Sequence, residues 1–175
     1  MRSAFYEAMS SLKIAKDSLK YPLYCCSLDV HLRLTGKCLV PSVYGDLSVI
    51  RILVADDNPA VRRYLRGLLE QKENWKVCDE ARDGKDAIEL FRSKHHDLVV
   101  VDFQMPLVNG LEVAREIVKL SPETPILMVT LYLSRQLEEE ARRIGIRGAC
   151  AKTDVGSLVE AVDALLRHQS YFSVN

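Results

Sequence analysis

The stretch LVVVDFQMP, at residues 98–106, decides the fold. Its first four residues are apolar, three of them β-branched, and they run without a polar break into Asp102. Such a run is typical of a strand buried on both faces, in a parallel sheet covered by helices. Because Pro106 cannot continue a strand, the pattern predicts that Asp102 lies at the carboxyl end, where open α/β sheets bind ligands. An aspartate in this position is also a common turn residue, so Asp102 alone does not establish a site.

The rest of residues 49–169 repeats this pattern of a strand followed by a helix. After each apolar run, apolar residues recur every three or four positions, as in a helix with one buried face. The predicted strands are residues 49–55, 75–81, 97–102, 125–130 and 147–151. Five strands alternating with five helices predict an α/β domain, in which a five-stranded parallel sheet lies between two helical layers with right-handed crossovers.

The first predicted strand also ends in carboxylates, those of Asp56 and Asp57. Asn58 is a preferred N-cap residue and Pro59 suits the first helical position, so a helix is expected directly after the two acids. If the first and third strands are neighbours, three carboxylates meet at one edge of the sheet and repel one another unless a cation lies among them. Oxygen ligands of this kind favour Mg²⁺. Taken alone, adjacent acids before a helix are usually solvated.

Two further polar residues are predicted at the same edge. Thr130 ends the fourth predicted strand and Lys152 follows the fifth. Each residue alone is more often structural or solvated than functional. Together with the three acids they form a set of carboxylates, a hydroxyl and an ammonium at strand ends, and this combination favours a functional site.

Composition and charge exclude few classes of protein. Lys plus Arg equals Asp plus Glu at 24 residues each, so the net charge argues neither for nor against a nucleic-acid partner. No apolar run approaches the roughly 20 residues of a membrane span, and we expect no membrane partner. The five cysteines lack the spacing of a disulfide scaffold or a zinc site, which indicates a reducing, cytoplasmic location.

Residues 1–48 differ from the rest of the chain, because proline and glycine interrupt them and no alternation of strands and helices is visible. We expect a poorly ordered N-terminal extension, or a chain start placed upstream of the true one. A short partner-binding helix over residues 3–20 is the alternative. Residues 170–175 are expected to form a C-terminal tail or the start of an absent linker, so that the chain is a stand-alone domain or a fragment.

The motifs of residues 49–169 resemble the receiver domain of two-component response regulators. The resemblance rests on Asp56-Asp57, on DFQMP at 102–106, on NGLE at 109–112, on Thr130 and on Lys152. It implies a flavodoxin-like α/β/α fold with strand order 2-1-3-4-5. In that order Cys78 and Cys150 lie on opposite edges of the sheet, roughly 19 Å apart, and should not form a disulfide. The motifs KTD at 152–154 and YFS at 171–173 resemble receivers of helix-turn-helix regulators of the LuxR/NarL type.

The resemblance also implies the chemistry of the site. Asp102 is expected to accept a phosphoryl group from a sensor histidine kinase. The implied ligands of Mg²⁺ are Asp57, Asp102 and the main-chain carbonyl of Gln104, with Asp56 helping through a water molecule. These assignments agree with the physical argument, since a carboxylate nucleophile forms an acyl phosphate and a metal ion offsets the charge of the incoming oxygens.

Lys152 and Thr130 complete the expected mechanism. Lys152 supplies a second cation against the phosphoryl oxygens. The hydroxyl of Thr130 donates to a phosphoryl oxygen once the phosphate is present, which converts a local change of charge into movement of the fourth strand and its helix.

The expected function is a phosphorylated binding module in phosphorelay signal transduction, linked to transcription regulation, with at most weak autophosphatase activity. We expect a homodimer through the last strands and helices and no direct binding of nucleic acid by this chain. One alternative is a receiver-like adaptor that works through protein contacts without phosphorylation. A third hypothesis, an aspartate-nucleophile phosphatase, is disfavoured because Gln104 stands where such enzymes place a second aspartate.

Two residues depart from the family pattern. Leu131 follows the switch hydroxyl, where a small residue is typical, and Ala149 stands where an aromatic switch residue is expected. A bulky Leu131 is expected to slow both the formation and the hydrolysis of an acyl phosphate. Without a ring at position 149, any output is expected to pass through the fourth strand and the helix after it.

Overall fold

The computed structural model describes residues 49–173; the predicted extension, residues 1–48, lies outside this range. The elements in chain order are β1 (Ile50–Ala55), α1 (Pro59–Leu69), β2 (Trp75–Ala81), α2 (Gly84–Ser93), β3 (Leu98–Asp102), α3 (Gly110–Leu120), β4 (Ile126–Thr130), α4 (Arg135–Ile144), β5 (Gly148–Ala151), α5 (Val155–Leu166) and β6 (Tyr171–Phe172). The strands form one parallel sheet in the order β2-β1-β3-β4-β5-β6. This arrangement confirms the α/β fold and the order 2-1-3-4-5.

The structure corrects the predicted number of strands from five to six. The additional strand, β6, lies within the segment that the sequence predicts as a tail. The N–H of Tyr171 donates to the carbonyl of Arg147 at 3.0 Å, and the N–H of Ser173 donates to the carbonyl of Ala149 at 3.1 Å. These bonds satisfy the carbonyl groups of Arg147, just before β5, and of Ala149 within it, so that β6 rather than β5 forms the edge of the sheet.

Side-chain alternation along the strands divides the core into two layers. Leu53, Val99 and Val101 face one layer, which α2, α3 and α4 cover. Ile52 and Val100 face the other, which α1 and α5 cover. Strand β3 is buried along its whole length, as the uninterrupted apolar run predicts.

Capping residues set the beginnings of the helices beside the sheet. The side chain of Asn58 accepts from the N–H of Ala60 at the start of α1, and Pro59 occupies the first turn, as predicted. At the start of α3, Asn109 and Glu112 form a reciprocal capping box. Both helices therefore begin directly after loops that leave the carboxyl ends of strands.

Two further expectations concern cysteines and membranes. Cys78 on β2 and Cys150 on β5 are both free. Three strands, β1, β3 and β4, lie between β2 and β5 in the sheet. Burial and the nearby charge of Asp154 raise the pKa of the Cys150 thiol to about 12.

Within residues 49–173, no helix combines the length and the apolar character needed to cross a bilayer.

Candidate functional site

The carboxyl ends of β1 and β3 bring three aspartates together. Asp56 and Asp57 follow β1, Asp102 ends β3, and one carboxylate oxygen of each lies within 4.8 Å of the others. The two strands are hydrogen-bonded neighbours, with Ala55 opposite Val101. Asp56 and Asp102 are buried, whereas Asp57 is exposed. We call Asp56, Asp57, Asp102 and the adjoining Lys152 the acidic site.

Lys152 places one ammonium group against the two buried carboxylates. Its Nζ lies 2.6 Å from Oδ2 of Asp56 and 3.0 Å from Oδ2 of Asp102. Burial by itself lowers the pKa of Lys152, but the close contacts and charges of the two aspartates outweigh it and raise that pKa above its ordinary value. The ammonium therefore stays protonated at neutral pH.

The single ammonium does not balance the buried acids. Burial, the largest effect, raises the pKa of Asp102 above its ordinary value, and the negative charge of Asp56 adds to it. Lys152 and the backbone N–H of Gln104 act in the opposite direction without cancelling the shift. The ionised form of Asp102 is thus held in an environment with too little positive charge.

Hydrogen bonds to the backbone hold the loop after β1. Oδ1 of Asp56 accepts from the N–H of Asn58 at 2.9 Å, which turns the chain into α1. The guanidinium of Arg62 donates to the carbonyl of Asp56 at 2.7 Å, and its Nε donates to Glu80 at 3.2 Å. This role of Arg62 is not predicted from the sequence. Its position one turn into α1 is the only signal that the sequence contains.

The loop after β3 passes unusually close to the strand end. A Cβ atom on Gly110 would lie 2.3 Å from the carbonyl oxygen of Asp102, so only glycine fits where α3 begins. In the same loop, Leu107 has a φ of 68° and its side chain is exposed. A left-handed backbone is costly for leucine, and strain of this kind is common beside functional sites.

The structure places Thr130 at the same edge, at the end of β4. Its side chain is buried, and its Oγ1 accepts from the N–H of Tyr132 at 3.3 Å. The backbone N–H of Lys152 donates to the carbonyl of Thr130 at 2.8 Å, which fixes the two strand ends together. Leu131 and Tyr132 follow at the rim with exposed side chains. Gln104 lies in the loop after β3 and is exposed.

The donor atoms of the acidic site fit a hard divalent cation. Three carboxylates converge, and among residues 49–173 this is the one group of at least three potential metal-ligating side chains. Oδ2 of Asp56 is buried, and its polar contact within the described chain is the ammonium of Lys152 rather than a well-directed hydrogen bond. Oxygen donors with an unbalanced negative charge match the preference of Mg²⁺.

A third buried carboxylate, that of Asp79 on β2, lies outside this site. Its two oxygens contact the ammonium of Lys94 and Nε2 of His96, the latter at 3.0 Å. The His96 ring stacks on Phe91 with centroids 5.9 Å apart. We call Asp79, Lys94 and His96 the histidine cluster. The cluster is not predicted from the sequence, because a bulge at Cys78 shifts the register of β2 and no sequence pattern shows the bulge.

Charges are balanced in the histidine cluster. Burial alone raises the pKa of Asp79, but the bonds from Lys94 and His96 hold it below its ordinary value of 3.8. Burial lowers the pKa of His96 below 6.5 in spite of the neighbouring carboxylate. At neutral pH the imidazole is therefore neutral and its Nε2 donates to an ionised Asp79.

Comparisons with known proteins agree with this geometry. The family model of the response regulator receiver domain matches residues 52–163. The chain is similar to an uncharacterized transcriptional regulatory protein, YxjL, of Bacillus subtilis, with 32% identity over 124 residues that cover 70% of this chain and 57% of that protein. It is also 31% identical to the protein CcdB of the same organism, over 67% of this chain and 98% of CcdB.

Solved structures show the same likeness. A LuxR-family two-component response regulator from Aurantimonas superimposes with a TM-score of 0.68 and 32% identity, over 71% of this chain and 89% of that one. The chain spans only a little more than half the length of YxjL. The family model covers the acidic site and the sheet from β1 to β5, and the chain belongs to the receiver-domain family of two-component response regulators.

Proposed function

We propose that Asp102 accepts a phosphoryl group from a sensor histidine kinase in phosphorelay signal transduction. The observation that supports this most strongly is the unbalanced charge of the acidic site. Buried Asp102 shares one ammonium with buried Asp56, and burial raises the pKa of Asp102. Such an arrangement is costly unless a cation or a reacting group uses it, and perturbed carboxylates in a cleft are typical of functional sites.

In the proposed step, a carboxylate oxygen of Asp102 attacks the phosphorus of a phosphorylated histidine. A P–O bond forms and the P–N bond breaks, with its electron pair staying on the ring nitrogen. The imidazole leaves neutral because its other nitrogen already carries a proton. The product on this chain is an acyl phosphate, the ordinary intermediate of carboxylate nucleophiles.

Lys152 and Thr130 bind the transferred group. The ammonium already lies 3.0 Å from Oδ2 of Asp102, so it can contact a phosphoryl oxygen with little movement. The hydroxyl hydrogen of Thr130 is free to donate, since its oxygen acts as an acceptor for the N–H of Tyr132. A phosphoryl oxygen that recruits this hydroxyl would alter the contact with Tyr132 and thereby the loop before α4.

A Mg²⁺ ion in the acidic site would offset the charge of the phosphoryl oxygens. Asp57 and Asp102 would hold it directly, together with the main-chain carbonyl of Gln104. Asp56 would contribute through a water molecule, because Lys152 already contacts its Oδ2. The exposed position of Asp57 leaves that carboxylate free to bind the ion without breaking an internal pair.

The wider function follows from the relatives. YxjL is described as a transcriptional regulatory protein, and we infer that this domain belongs to a cytoplasmic pathway that regulates transcription. The receiver itself would act through protein contacts, as a homodimer through its last strands and helices, and would not bind nucleic acid. Its own chemistry would be limited to accepting the phosphoryl group and slowly hydrolysing it.

The adaptor hypothesis remains the second candidate, because Leu131 and Tyr132 present exposed apolar surface at the rim of the site. Such surface is suited to a partner whether or not Asp102 is phosphorylated. Failure of both acetyl phosphate and a phosphorylated kinase to label the chain would favour this candidate over the first.

The test is phosphorylation by acetyl phosphate, followed by intact mass with Mg²⁺ or with a chelator. The wild-type chain should gain one phosphate only with Mg²⁺, and Asp102→Asn should gain none. Asp79→Asn is the matched control, because it removes another buried carboxylate on a neighbouring region of the same sheet. Wild-type labelling of Asp102→Asn would contradict the assignment.

A further inference from the structure

The strand β6 is attached to the sheet by few interactions. It has two residues, opposite Gly148 and Ala149, and two backbone hydrogen bonds from Tyr171 and Ser173 hold it to β5. A strand this short is marginal without side-chain contacts. Its position therefore depends on what its side chains touch.

The ring of Phe172 provides those contacts. It lies opposite Ala149, whose small, buried side chain leaves room for it, and it packs against the core layer beneath α4. The guanidinium carbon of Arg142, on α4, lies 3.5 Å from the centre of the ring. Arg142 is also held by Glu138 on the same helix, at 2.7 Å. The sequence predicts no aromatic ring beside β5, because position 149 is alanine; Phe172 of the tail supplies one.

Helix α4 is the element best placed to transmit a change from the acidic site. Four residues, 131–134, connect α4 to Thr130. Within this loop, the N–H of Tyr132 donates a hydrogen bond to the hydroxyl oxygen of Thr130. Ala141 is its one fully buried residue, and most of the others are charged. A helix with so small a buried face shifts at low cost.

We propose that the contact between Arg142 and Phe172 couples α4 to β6, so that the state of Asp102 controls how firmly β6 is attached to β5. This inference rests on the proposed function, since phosphorylation is what moves Thr130. When the threonine hydroxyl turns to the phosphoryl group, the loop before α4 loses its bond to Tyr132 and α4 shifts. Arg142 then leaves the ring, and β6 keeps only its backbone pairing with β5 and the packing of its side chains against the core.

The contact itself is tested on the unphosphorylated full chain by hydrogen exchange, read by NMR at the amides of Tyr171 and Ser173. Arg142→Ala should speed exchange at both amides about fivefold, as expected for the loss of one cation–π contact. Arg143→Ala is the matched control, because it removes the next arginine of α4, which pairs with Glu140 at 3.7 Å. Equal exchange in Arg142→Ala and the wild type, or equal acceleration in both variants, would overturn the inference.

The coupling is tested on chain phosphorylated with acetyl phosphate and checked by intact mass. Exchange at Tyr171 and Ser173 should be at least about fivefold faster than in Asp102→Asn treated in the same way. Phosphate on Asp102 with unchanged or slower exchange overturns the inference and leaves the proposed function standing. Absence of phosphate on Asp102, with acetyl phosphate and with a phosphorylated histidine kinase alike, overturns both.

Discussion

Two buried carboxylates of this sheet, Asp102 and Asp79, have similar partners and opposite electrostatics. Each contacts a lysine, Lys152 in the acidic site and Lys94 in the histidine cluster. In the acidic site a second buried acid, Asp56, competes for the same ammonium. In the histidine cluster the second partner is instead a donor, the imidazole of His96.

The pKa values of the two carboxyl groups shift in opposite directions as a result. Burial raises the pKa of Asp102, and one shared ammonium does not reverse it. Burial also acts to raise the pKa of Asp79, but two donors outweigh it and the pKa falls. A carboxylate with a complete set of partners stabilises the fold, whereas one with too few is available for a cation or a phosphoryl group. We infer that this difference separates a cluster that stabilises the fold from a site that can bind a cation or a phosphoryl group.

The largest expected effect on stability lies in the histidine cluster. Asp79→Ala should lower the free energy of unfolding by about 2 kcal/mol, because it leaves the buried His96 donor and the Lys94 ammonium without their partner. Asp102→Asn should leave that free energy unchanged or raise it, since it removes a poorly compensated charge. Urea unfolding of the two variants measures both. A larger loss in Asp102→Asn than in Asp79→Ala would reverse the comparison.

The affinity of the acidic site for Mg²⁺ should fall when a proposed ligand is removed. Asp57→Ala should weaken Mg²⁺ binding at least about tenfold, the size known for residues that support metal sites, because Asp57 is a proposed direct ligand. Calorimetric titration of the full chain measures the change. Glu89→Gln, which removes an exposed acid on α2, is the control and should bind Mg²⁺ as the wild type does. Equal affinity in Asp57→Ala and wild type would refute the ligand assignment.

Stability should fall with decreasing pH in two windows. The pKa of His96 lies below 6.5 in the folded chain, so the unfolded chain takes up a proton first and stability decreases as the pH falls below 6.5. The pKa of Asp79 lies below 3.8, so its contribution is complete above that pH and is lost as the pH falls further. His96→Gln should flatten the first decrease and weaken the second, because the imidazole is one of the two donors that lower the pKa of Asp79. A variant that follows the wild-type curve throughout would contradict this assignment.

The smallest expected effect is on access to Asp102. Leu131→Ala should speed both labelling by acetyl phosphate and loss of the phosphate, because it removes bulk at the rim of the acidic site. Leu120→Ala is the matched control, since Leu120 is 49% exposed, close to the 53% of Leu131, but ends α3 at the opposite end from Gly110. Unchanged rates in Leu131→Ala would show that access is not limiting.

A companion variant needs a revised expectation. From the sequence, Ala149→Tyr is expected to leave labelling and decay nearly unchanged and to alter partner binding or dimerisation. Ala149 is fully buried, however, and faces Phe172 across the edge of the sheet. A tyrosine at position 149 would have to displace that ring, so the variant changes β6 as well as β5.

The acidic site could be predicted because its residues end strands that the sequence marks clearly. Long apolar runs before Asp56, Asp102 and Thr130 locate the strand ends, and parallel strands bring their ends to one edge. The histidine cluster could not be predicted, because Asp79 faces its partners through a bulge in β2. The strand β6 could not be predicted either, since two residues are too few to show a period of alternation.

The most direct test of the account is a carbon-13 NMR titration of the aspartate side-chain carboxyls in the Mg²⁺-free chain. The account predicts that Asp102 titrates above the ordinary value of 3.8 and Asp79 below it. In His96→Gln the pKa of Asp79 should move upward while that of Asp102 stays where it was. A pKa of Asp102 at or below 3.8, together with a pKa of Asp79 above 3.8, would contradict the claim that unbalanced charge marks the carboxylate proposed to be functional.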